Sequence, residues 1–106
     1  MTTTTGIKIG KHTFEGPYTS TDNLKDRSGV YAIICQNNGK NYVIDVGESA
    51  EVKTRIETHD RENCWERNCR GTLAVSVYYT PHLQQSGRMA IEHELRRQYN
   101  PACGKR

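Results

Sequence analysis

The chain has 106 residues, 34% of them hydrophobic, and a formal net charge of +3, with a pI near 8.7 and a mean hydropathy of −0.83. That length suits one domain with one small core, because single compact cores are usual at roughly 100–150 residues. No run approaches the roughly 18 consecutive apolar residues of a membrane span, and a mildly basic balance permits nucleic-acid binding without demanding it.

Taken in chain order, Ile7 and Ile9 alternate with Lys8, and Gly10-Lys11 offers a turn before Thr13 and Phe14. A short N-terminal hairpin is expected there, broken by Gly16-Pro17. Ser20 to Asp26 carries cap-forming residues around Leu24 and reads as one helical turn. Val30 to Cys35 is rich in β-branched and aromatic residues, Asn38-Gly39 supplies a tight turn, and Tyr42 to Val46 returns, so the pair reads as an antiparallel hairpin. From Ser49, an expected N-cap, Val52 and Ile56 lie one turn apart in a helix running to about His59. A second short helix is expected around Trp65. Thr72 to Thr80 is a further strand, stopped by Pro81. A last helix opens at Ser86 or Gly87, lines up Ile91, Leu95 and Tyr99, and ends at Asn100-Pro101 because a residue before proline resists the α region. The order is an α+β domain: a small sheet, at least partly antiparallel, covered by helices.

Four cysteines are present: Cys35, Cys64, Cys69 and Cys103. The opening Met1 to Lys8 lacks the basic head and apolar stretch of a secretory signal. The expectation is therefore a cytoplasmic protein with free thiols. A zinc site drawing on His59, Cys64 and Cys69 lacks the tight ligand pair of a strong metal signature.

The candidate chemistry lies in an ordered set. Gly29-Val30-Tyr31 begins one strand and Asp45-Val46-Gly47 closes the next. Arg55 and His59 lie four apart on the following helix, and Glu92 and Asn100 lie on and just after the last. From about Gly29 to Gly104 this order resembles the GIY-YIG nuclease superfamily. The resemblance implies a three-stranded sheet flanked by helices over residues 29–106, with residues 1–28 as an N-terminal extension carrying the possible hairpin. It further implies a divalent-metal-dependent endonuclease acting on DNA. Tyr31 would position or activate water, Arg55 would contact the scissile phosphate, and His59 would assist proton movement. Glu92 would hold Mg²⁺ or Mn²⁺, and Asn100 would match the asparagine after the last helix.

The residue types suit that chemistry. A phosphodiester transition state gathers negative charge that arginine and a metal both stabilise, and magnesium often takes only one or two protein carboxylates. A phenol with a pKa near 10 needs a nearby cation to act as a base.

One departure stands out: the second motif normally carries Tyr-Ile-Gly, and here Asp45 replaces the tyrosine. Aspartate suits a strand interior poorly, so Asp45 calls for a polar partner; it is a candidate second metal ligand or a mark of lost activity. Tyr42, three residues earlier, is expected on the opposite face. The other reading is thus a catalytically inactive nucleic-acid-binding or protein-interaction module on the same fold. Glu92, with Arg88 and Arg96 one turn away on either side, also reads as part of an exposed salt-bridge ladder. Arg61, Arg67, Arg70, Arg96, Arg97, Lys105 and Arg106 form a candidate phosphate-facing surface. With no further DNA-reading domain in the sequence, specificity would call for a homodimer or a partner protein.

Overall fold

The computed structural model describes residues 6–104. Its centre is the expected hairpin, with strand β3 (Gly29–Asn37) turning into strand β4 (Lys40–Ser49). Asn38 and Gly39 take φ of 54° and 74°, the left-handed pair that matches strand twist in a two-residue turn. Strand β5 (Thr72–Tyr79) lies antiparallel on the other side of β3, with Tyr31 opposite Val77 and Ile33 opposite Val75.

The sheet does not stop at three strands. The N-terminal hairpin exists as β1 (Ile7–Ile9) and β2 (His12–Tyr18), and β2 pairs with β5, giving one five-stranded antiparallel sheet in the order β1-β2-β5-β3-β4. Gly16-Pro17 breaks the register rather than the strand: pairing shifts between Glu15 and Tyr18. An irregularity of that kind is where a proline without an N–H is tolerated in a sheet. Residues 7–18 are thereby built into the same sheet as the rest.

Alternation sends the two faces of β3 into separate cores. Tyr31, Ile33 and Cys35 pack with Ile44, Val52, Ile56 and Trp65, beneath helices α1 (Val52–Glu57) and α2 (Glu62–Arg67). Val30, Ala32 and Ile34 pack with Ile9, Phe14 and Leu95, beneath the hairpin and helix α3 (Gln85–Tyr99). The Tyr99 hydroxyl accepts from the Gly10 amide at 2.8 Å, tying hairpin to helix. Helices therefore flank the sheet as expected.

Helix α1 is shorter than expected. Ser49 ends β4, and its hydroxyl accepts the Glu51 amide at 2.9 Å one step before the helix begins. The helix closes at Thr58, the C-cap, so His59 leaves the helical path and turns inward. The single turn after β2 is a 3-10 helix over Thr21–Asn23, capped by Ser20.

The cysteines correct the thiol expectation. Cys35 is bonded to Cys69 and Cys64 to Cys103, leaving no free cysteine among the described residues. Sequence separations of 34 and 39 hide both pairings, which exist because α2 folds back across β3 and the C-terminal segment folds back onto α2. In the chain-entropy account each such crosslink stabilises by roughly 4 kcal/mol. With both sulfur pairs consumed, no thiolate is left for zinc, and the thiol argument for a cytoplasmic setting falls away. No helix among the described residues is long and apolar enough to cross a membrane.

Candidate active site

Tyr31 is 1% exposed, and its hydroxyl lies 2.8 Å from His59 Nε2. Three backbone facts put it there. Strand alternation aims Tyr31 at the α1–α2 side. Its partner across β4 is Gly47, where an added Cβ would sit 2.2 Å from the Tyr31 oxygen. The glycine of the second motif is thus required by close approach to the phenol. Finally, the break after α1 delivers His59, 5% exposed, against that oxygen.

The tautomer of His59 follows from its other nitrogen. Nδ1 accepts the Arg61 amide at 3.0 Å, closer than the exposed Asp60 Oδ1 at 3.3 Å; with the amide as its donor, the neutral ring carries its proton on Nε2, and His59 donates to the Tyr31 oxygen. Burial, with the charges of Arg55 and Arg61, pushes His59 down to about 4. Burial pushes the Tyr31 phenol up to about 12, against the pull of Arg55 and Arg61. At neutral pH the pair is an uncharged imidazole donating to an uncharged phenol. Arg55 remains half-exposed and pairs with Asp60 at 3.4 Å.

Asp45 has found its polar partners. It is fully buried and accepts from Arg61 Nε at 2.8 Å, Trp65 Nε1 at 2.7 Å, Arg96 Nη2 at 2.8 Å and its neighbour Val46 N at 2.8 Å. Burial alone would raise this carboxyl, but donation from Arg61, Trp65 and Arg96 outweighs it and holds the pKa below the usual carboxylate range. Both oxygens are engaged, and this is the arrangement of a charge anchor rather than of an open cation ligand. Arg96 also donates to the Val46 carbonyl.

A β-bulge shapes the surroundings. Ile33 faces Asp45 while Ile34 faces Val43, so Ile44 is the extra residue. Tyr42, opposite Cys35, consequently lies on the same face as Asp45, contrary to the expectation from simple alternation. It is 49% exposed.

Glu92 belongs to a second half of the cluster. It is 6% exposed, and its Oε2 accepts from Arg96 Nε at 3.1 Å. The ladder read from the sequence is therefore half present and buried: Arg96 pairs with Glu92, whereas Arg88 pairs with Glu48 at 2.9 Å. Arg96 spans both halves by holding Glu92 and Asp45 together. Asn100 caps α3 in a left-handed conformation, φ 46°, and is exposed; no hydrogen bond or ion pair of its side chain joins it to the cluster.

Among the described residues no group of three or more His, Cys, Asp or Glu side chains is placed to hold a metal ion. The donor set fits a hard divalent ion through one carboxylate: among the described residues no protein donor is directed at Glu92 Oε1, and magnesium accepts one protein carboxylate completed by water.

The roles of Arg61, Trp65 and Arg96 are not visible in the sequence. Arg61 and Arg96 turn inward to Asp45 instead of forming a phosphate-facing surface, while Arg67, Arg70 and Arg97 are exposed. Lys105 and Arg106 lie outside the described residues. The available signal was Asp45 itself: a carboxylate amid Ile44 and Val46 requires buried donors.

With this geometry in place, comparison with known proteins defines the class. Residues 27–106 match the GIY-YIG catalytic domain family, and the chain belongs to that family. Its fold is similar to the crystal structure of the GIY-YIG N-terminal endonuclease domain of UvrC from Thermotoga maritima, a point mutant bound to its catalytic divalent cation. The two share 15% identity with a TM-score of 0.58, over 81% of this chain and 91% of that one. No curated protein matches the sequence.

Proposed function

We propose that this domain is a divalent-metal-dependent endonuclease that hydrolyses DNA phosphodiester bonds. The observation that carries the reading is the buried Tyr31–His59 hydrogen bond beside Arg55, built by the first motif, the second-motif glycine and the end of α1. The described relative, an endonuclease domain bound to a catalytic divalent cation, supports the same reading.

In this scheme Arg55, the half-exposed cation of the cluster, meets a non-bridging phosphate oxygen. Tyr31 receives the Nε2 proton of His59 as a hydrogen bond, so its own O–H is free to engage the attacking water. Transfer of the Tyr31 hydroxyl proton to solvent leaves a phenolate, stabilised by His59 N–H and Arg55, that takes the proton of the attacking water. A phenol near 12 stays protonated at neutral pH, so a nearby divalent cation would have to lower it for the phenolate to form. Glu92 Oε1 would hold Mg²⁺ or Mn²⁺, which supplies positive charge to the phosphate and acidity to bound water. Asp45 takes no part in holding the metal.

The test is nicking of supercoiled plasmid by the full chain with Mg²⁺ or Mn²⁺. Metal-dependent nicks abolished by Glu92→Ala support the assignment; absence of cleavage across several DNA structures overturns it. A specific observation favours a second reading, a silent DNA-binding module: Tyr31 is almost wholly enclosed. Salt-dependent DNA binding without nicks would select that reading.

A further inference from the structure

We propose that Trp65 is a positioning residue for the Tyr31–His59 pair, and that the two disulfides clamping α2 make this positioning thiol-sensitive. The inference rests on the nuclease reading for its consequence, but its geometry stands apart from it.

Trp65 touches His59 directly, with ring centroids 4.6 Å apart, and fixes its own indole by donating Nε1–H to Asp45 at 2.7 Å. Arg61, at the N-cap of the same helix, gives its side chain to Asp45 and its amide to His59 Nδ1. Helix α2 thus sets both the tautomer of His59 and the wall behind its ring. Yet α2 has six residues, far below the length at which a helix persists unaided.

What pins it is covalent. Cys64 within α2 is bonded to Cys103, whose amide donates to Ile44 O at 2.9 Å, next to Asp45. Cys69, two residues beyond α2, is bonded to Cys35 on β3, on the same strand face as Tyr31. One crosslink therefore ties the segment just after α2 to the strand of Tyr31, and the other ties α2 to the C-terminal segment, which is hydrogen-bonded to the strand of Asp45. Cys64 and Cys69 are half-buried, whereas their partners Cys103 and Cys35 are buried, so a thiol reductant has to reach each disulfide from the Cys64 or Cys69 side. Reduction is balanced within the reagent: each disulfide accepts two electrons and two protons from a dithiol, yielding two cysteine thiols and the oxidised, cyclised dithiol.

The experiment uses the full chain, air-oxidised or treated with dithiothreitol, together with Trp65→Phe and the pair Cys64→Ala/Cys103→Ala. Two readouts are taken: imidazole ¹⁵N signals of His59, and kcat and KM for plasmid nicking. The oxidised protein is expected to show a single Nε2–H tautomer. Reduction, or either variant, is expected to yield mixed tautomers, a His59 titration moved up towards 6.5, and kcat lowered about 10²-fold with KM little changed. If the cysteine pair does not fold, the fully reduced chain does not fold either, and Trp65→Phe in the oxidised protein carries the test.

Four free thiols in the oxidised preparation would overturn the proposal. So would His59 signals and kcat that stay the same after full reduction and in Trp65→Phe. Failure of the nuclease reading is recognised separately: no nicking in any state, with the His59 signals still responding, removes the nuclease and leaves the positioning intact.

Discussion

Arg96 Nη2 lies 2.8 Å from Asp45 Oδ1, and through this contact the two halves of the site meet. On one side Asp45 holds Arg61 and Trp65, which frame His59 and Tyr31. On the other Arg96 holds Glu92. An aspartate at the position of the usual second tyrosine thus replaces a hydroxyl with a buried charge, and three donors from α3, α2 and its N-cap converge to satisfy it. Buried charges are tolerated when paired in this way.

Removing that charge should unravel the junction. Asp45→Ala is expected to destabilise the fold by about 3–5 kcal/mol, because Arg61, Arg96 and the Trp65 indole lose their shared acceptor in a buried site. Asp45→Tyr should also destabilise and should not raise nicking: the tail at Gly104 covers Asp45, with the Asp45 Oδ1 only 2.9 Å from where a Gly104 Cβ would be. Urea unfolding of both variants checks this, and wild-type stability in either would refute it.

Gly47→Ala should displace the Tyr31 ring, since its Cβ would sit 2.2 Å from the phenol oxygen. Overpacking of this kind costs about 1–3 kcal/mol. The accompanying observation is loss of the Tyr31–His59 hydrogen bond by NMR and of nicking with it.

Acid should weaken the protein through His59. The folded pKa of His59, about 4, is below its unfolded value of about 6.5. Between these values the unfolded chain binds the additional proton, so stability falls as pH falls through that window. The loss reaches roughly 3 kcal/mol at most. The groups facing His59 are Tyr31, Arg55, Asp60, Arg61 and Asp45; both aspartates are held below 3.8 and respond only at lower pH. Urea midpoints from pH 7 to pH 4, with His59→Gln as the variant that flattens the slope, decide the matter.

The N-terminal hairpin should prove integral to stability and remote from chemistry. Phe14 is fully buried in the α3-side core, so Phe14→Ala is expected to cost about 3–5 kcal/mol. Its His59 signals should match wild type at temperatures where it remains folded. A protein as stable as wild type would show that the hairpin merely rests on the sheet.

Local signals in the sequence determined much of this protein. The Asn38-Gly39 turn, the β-branched run of β3, the proline after β5 and the stripe of α3 are short-range features, and each appears where the residue chemistry placed it. The ordered motif residues likewise led to the family. Tertiary structure decided what depends on distant segments meeting. Gly16-Pro17 reads as a breaker until β5 supplies a partner for β2, which is why three strands became five. Four cysteines read as thiols until α2 crosses the sheet. Arg61 and Arg96 read as surface cations until a buried carboxylate draws both inward. Asp45 announced a need for donors, but which ones could answer depended on the folding of α2 and α3 around it, because a charge excluded from water is satisfied only by groups the whole chain brings within hydrogen-bond reach.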